Sequence, residues 1–96
     1  MADPSSKAPP TAQAIDFVTF CLSLASSAFI HLGDAPHPDG TEARVNLVLA
    51  KQTIDILAML EEKTKGNLSA EETRFLENLL VDLRLRYVSR SSGKRE

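Results

Sequence analysis

Three stretches of this chain carry apolar residues at helical spacing, and none alternates convincingly at the spacing of a strand. From Thr11, near which the first helix is expected to start, to Leu32 there is no proline or glycine. At about 100° per residue, Phe17, Phe20, Cys21, Leu24 and Ala28 share one face. Ile15, Val18, Leu22, Ala25, Phe29 and Leu32 fill the neighbouring arc, which leaves a narrow polar stripe of Asp16, Thr19, Ser23 and Ser27. The second stretch places Arg44, Lys51, Asp55 and Glu62 within about 40° of one another. The rest of its circumference is apolar: Val45, Leu47, Val48, Leu49, Ile54, Ile56, Leu57, Met59 and Leu60 wrap around it. The third stretch, Ala70 to about Val88, has one core face of Phe75, Leu76, Leu79, Leu80, Leu83 and Tyr87. A second stripe, Val81, Leu85 and Val88, lies on the side that also carries Arg74 and Asn78, where a monomeric three-helix protein should be polar.

The breaks between these stretches have their own chemistry. Gly33 to Gly40 holds two prolines and two glycines and reads as a loop, with Thr41 or Asp39 as the expected cap of the second helix. Lys63-Thr64-Lys65-Gly66 closes that helix with cations suited to its negative end and a glycine free to take φ > 0. Ser69-Ala70-Glu71-Glu72 opens the third with a capping box, in which the Ser69 side chain and the Glu72 carboxylate each take the other's backbone amide. The expected fold is therefore all-α: three main helices, the second and third an αα-hairpin about Gly66-Asn67, assembled as a homo-oligomeric bundle. Residues 1–10, with Pro4, Pro9 and Pro10, are expected to form a disordered leader; residues 11–88 one helical domain; residues 89–96 a basic tail.

These residues also resemble a family. Gly33 after an apolar helix, Asn46-Leu47, Ile54-Asp55-Ile56-Leu57 with Met59-Leu60, Glu62-Lys63-Thr64, Gly66-Asn67-Leu68, Glu72, Leu83-Arg84 and Tyr87-Val88 are similar to the bacterial domain of unknown function 1844 family. The resemblance runs from about Phe17 to Val88, and the Lys-Thr-Lys-Gly-Asn-Leu run with its capping box is its most specific part. It implies a short, helical, intracellular bacterial protein, and it brings no activity, cofactor or catalytic residue.

Composition narrows the options further. With 96 residues and only five aromatic side chains, the chain has a thin core, of a size that by itself supplies about 3–5 kcal/mol. Self-association is the natural remedy, and the total apolar helix surface exceeds what three helices bury among themselves. The expected contacts are Val81, Leu85 and Val88 on the third helix and Leu22, Ala25 and Phe29 on the first. The small residues Ser23, Ala25, Ser26, Ser27 and Ala28 would let another helix come close to the first. The single Cys21 excludes an intrachain disulfide and a four-cysteine zinc site, and fits a reducing, cytoplasmic setting. No signal peptide is visible, and the apolar run Phe17 to Ile30 is shorter than the ~20 residues a bilayer span needs.

Two further chemistries are weighed against that reading. Residues 1–83 hold six Lys/Arg against twelve Asp/Glu, whereas residues 84–96 hold five against one. Arg84, Arg86, Arg90, Lys94 and Arg95 could meet RNA or ribosomal phosphates, but no aromatic interleaves them to stack on bases, and cations at a helix C-terminus are favoured by the dipole alone. His31, Asp34, His37 and Asp39 are the only cluster with metal-ligand chemistry, and it could serve a metal protein or an enzyme; its spacing matches no zinc motif, and a helix end at His31 with turn chemistry after it is the preferred account. The paired carboxylates Glu61-Glu62 and Glu71-Glu72 sit at helix ends, where capping explains them. The expectation is a non-enzymatic module without cofactor or metal, whose partner is itself or another protein.

Overall fold

The computed structural model describes residues 15–37, 39–40 and 44–92, and these form three helices: α1 (Phe17–Leu32), α2 (Leu47–Lys63) and α3 (Ala70–Ser91). Each packs on both of the others, and there is no strand among the described residues. The expected leader, residues 1–10, lies outside the described residues.

Two helix starts differ from the sequence expectation. α1 begins at Phe17 rather than near Thr11, because Asp16 takes an extended conformation and its carboxylate accepts the Thr19 amide at 2.8 Å. Its carboxyl is held below its ordinary value by that amide hydrogen bond. α2 begins at Leu47 under Asn46, whose side chain accepts the Leu49 amide at 3.1 Å. Asp39 lies in the loop instead, and Thr41 falls outside the described residues. The Asn46 amide is already committed to the His31 carbonyl at 2.7 Å, so the last turn of α1 holds the entry to α2 extended and delays the helix.

α1 ends as a glycine-capped helix does. Gly33 has φ 84°, its amide donates to the Ile30 carbonyl at 2.9 Å, and the Asp34 amide donates to that of Phe29 at 2.8 Å. The α2–α3 joint follows the sequence. The Asn67 amide donates to the Thr64 carbonyl at 2.8 Å, and Gly66, with φ 88°, occupies the third position of that turn, where positive φ is required in type II geometry. Ser69 and Glu72 form the expected capping box, with reciprocal bonds of 2.9 and 3.1 Å.

The core joins a mixture of small and large residues on α1 and α2 to an all-leucine face on α3. Cys21, Ala25, Ala28 and Leu32 of α1 and Ala50, Thr53, Ile54 and Leu57 of α2 face Leu76, Leu79, Leu80 and Leu83 of α3. The alanines let the helices approach closely, and the leucines fill the space between them. Buried Thr53 is satisfied by donating to the Leu49 carbonyl at 3.2 Å. The α3 face is the one the periodicity pointed to. On α1 the buried residues combine parts of both expected arcs: Phe20 is exposed, and Ala25 is at the centre of the core.

Candidate functional site

Asp34 is the residue around which the helix ends converge. It follows the Gly33 cap, and its carboxylate accepts hydrogen bonds from Arg90 at 3.0 Å and Arg86 at 3.1 Å, two residues one turn apart on α3. Only 21% of the Asp34 side chain is exposed. Burial pushes its carboxyl up, but the hydrogen bonds and charges of Arg90 and Arg86 outweigh this, and it stays below its ordinary value. Arg86 also donates to Asp82 at 2.9 Å, and its guanidinium lies 4.9 Å from the centre of the Phe29 ring. A negative charge just past the end of α1 would be repelled by the helix dipole; the two guanidiniums reverse that sign. The arrangement is a clamp joining the end of α1 to the C-terminal half of α3.

The clamp changes the standing of several residues singled out in the sequence. Asp34 is paired with arginines, His31 lies in the last turn of α1 and lends its carbonyl to Asn46, and the His37 carbonyl accepts the Gly40 amide at 2.9 Å. Asp39 is exposed in the loop. Among the described residues no group of three or more His, Cys, Asp or Glu side chains is arranged to hold a metal ion. Arg86 and Arg90, two of the five cations of the basic end, are engaged within the chain, and Lys94 and Arg95 lie outside the described residues. α3 runs to Ser91, so residues 89–91 are helical where the sequence suggested the start of a tail. Cys21 is fully buried, and burial first and the charge of Glu72 second push its thiol upward, the opposite of what a nucleophile requires.

The expected contact residues divide. Val81, Leu85 and Val88 are 56%, 66% and 60% exposed along the outer side of α3, away from its buried leucines. Leu22 is exposed as well, but Ala25 is inside the monomer's own core and Phe29 packs against that core beneath Arg86. Helix α1 therefore offers no continuous face made of these three residues. What the sequence reading did not isolate is a second exposed stripe on α2, Val48, Ile56 and Met59, because that helix is apolar nearly all round. A groove of about 150 Å³ between α2 and α3, lined by Lys51, Asp55, Arg84 and Val88, puts polar side chains between the two stripes. A second hollow of about 280 Å³ lies at the α2–α3 joint among Glu61, Thr64, Leu68 and Thr73. None of the described helices is long and apolar enough to cross a membrane.

No curated protein and no solved structure matches this chain. One family model does, over residues 14–89, which takes in all three helices and the Asp34 clamp. The chain belongs to the family described as Domain of unknown function (DUF1844).

Proposed function

We propose that this protein is a non-enzymatic, cytoplasmic interaction module that works as a homo-oligomer, its exposed apolar helix faces covered by a second copy of itself or by another protein. The observation that carries the reading is the α3 stripe: three large aliphatic side chains more than half exposed on the side of the helix opposite its core. A monomer would hold these side chains, and those of the α2 stripe, in water at a cost of about 1.5–3 kcal/mol for each one that an interface could fully bury. A symmetric contact between copies hides the same surface twice. The non-enzymatic part rests on the fate of the reactive groups, since Cys21 is buried and Asp34 is neutralised by two arginines. A lone buried thiol suits a reducing compartment.

Light scattering coupled to size exclusion tests this directly. The expected result is at least a dimer at micromolar protein, weakened by Leu85→Asp, which would bury a charge in the contact, and unaffected by Asp3→Asn. A well-folded wild-type monomer up to its solubility limit would remove the homo-oligomer reading.

A further inference from the structure

We propose that the groove between α2 and α3 binds a small aliphatic carboxylate, a ligand with one planar anionic head and a short apolar body. The groove has a volume of about 150 Å³, roughly that of five water molecules, and Ile54 and Val88 give it apolar walls. Its polar members are Lys51 and Asp55 from α2 and Arg84 and Tyr87 from α3. Lys51 and Asp55 answer one another, with Nζ 2.9 Å from Oδ2. Arg84 and Tyr87 do not: neither makes a hydrogen bond or an ion pair among the described residues, although Tyr87 packs against the core.

The groove therefore holds more donors than it can satisfy. Arg84 presents a guanidinium fork with no acceptor, Tyr87 a free hydroxyl, and Lys51 the N–H groups left beside its bond to Asp55. The Lys51 ammonium is held above its ordinary value, first by the hydrogen bond to Asp55 and last by the Tyr87 oxygen, which places that hydroxyl within electrostatic reach of the ammonium across the groove. Two cations against one carboxylate leave a single positive charge over, which suits a monoanion. A planar carboxylate matches the Arg84 fork in two parallel hydrogen bonds, and an aliphatic body lies against Ile54 and Val88. Inorganic phosphate suits the groove less well: it brings a second negative charge toward Asp55 and has nothing to set against the apolar walls.

The chain reports on this groove by itself. Tyr87 is its one tyrosine and it has no tryptophan, so tyrosine emission of the full-length protein comes from the groove alone. Sodium butyrate should change that emission with half-saturation in the millimolar range, the affinity that so few ligand atoms allow in an open groove. Neutral butyramide and inorganic phosphate, at matched ionic strength, should each bind roughly tenfold more weakly, the first for want of a charge and the second for want of an apolar body. Arg84→Ala should weaken butyrate roughly tenfold, and Arg84→Lys by less, because it keeps the charge and loses the fork. Arg74→Ala, on α3 but outside the groove, should leave binding unchanged. Both arginines are exposed, and circular dichroism verifies that the variants fold. Butyramide or phosphate binding as well as butyrate, or Arg84→Ala binding butyrate as the wild type does, overturns the proposal. So does the absence of any response in both the wild type and Leu85→Asp, the second of which keeps the groove open should a second copy cover it.

Discussion

Removing the carboxylate of Asp34 should loosen the end of α1 from α3. Two charge-assisted hydrogen bonds, at 3.0 and 3.1 Å, would each contribute about 1.5–3 kcal/mol if fully buried. The guanidinium side chains of Arg86 and Arg90 are 42% and 38% exposed, so solvent screening draws each bond toward the ~0.2–1 kcal/mol of surface pairs. We therefore expect Asp34→Asn to cost about 1–2 kcal/mol in all, a shift of about 4–8 °C in Tm per kcal/mol for a domain of this size. Urea unfolding of Asp34→Asn, Arg90→Ala and the double variant, at one fixed protomer concentration, should give a coupling near half of that total. The pH dependence has a definite sign. Because the folded carboxyl is held below its ordinary value, its contribution is complete above the unfolded value of about 3.9 and is lost as pH falls through the folded one. The stability gap between wild type and Asp34→Asn should thus be constant from pH 7 to about 5 and close toward pH 2. A gap that is absent at pH 7, or a cycle with no coupling, would refute the clamp as a source of stability.

Two glycines with nearly the same backbone should respond differently to alanine. Gly66, with φ 88° and open space around it, should cost on the order of 1 kcal/mol as Gly66→Ala. Gly33→Ala should cost more, because its Cβ would fall 2.8 Å from Val45 Cγ2; equal Tm losses in the two variants would show that Val45 gives way freely. Ser69→Ala should cost about 0.5–2 kcal/mol by removing one half of the capping box, and an unchanged urea midpoint would argue against the hairpin joint as a stability element.

Local signals were legible wherever the partners are close in sequence. Ser69 and Glu72 are three residues apart, so the capping box could be written down from the residues alone, and Gly66 needed only its own freedom to take φ 88°. The core face of α3 was equally clear, because one arc of leucines with Phe75 and Tyr87 stands apart from its charged neighbours. α1 is apolar over most of its surface, and periodicity cannot choose between adjacent apolar arcs. Packing made that choice: the small side chains of Ala25 and Ala28 turn inward so that helices can approach, and the larger Phe20 stays outside.

The start of α2 and the clamp belong to tertiary structure. Asn46, Asp39 and Thr41 are all acceptable caps of α2 by chemistry, and the bond from the Asn46 amide to the His31 carbonyl favours Asn46 among them. Asp34 lies 52 residues from Arg86 and 56 from Arg90, a pairing that no local spacing encodes and that exists only once α3 lies against the end of α1. The sequence by itself determined how many helices there are, how the second joins the third, and which side of α3 is core, because these depend on neighbours within a few turns. Which arc of α1 is buried, where α2 begins, and that Asp34 meets Arg86 and Arg90 were decided by contacts between elements that come into being only when the chain has folded.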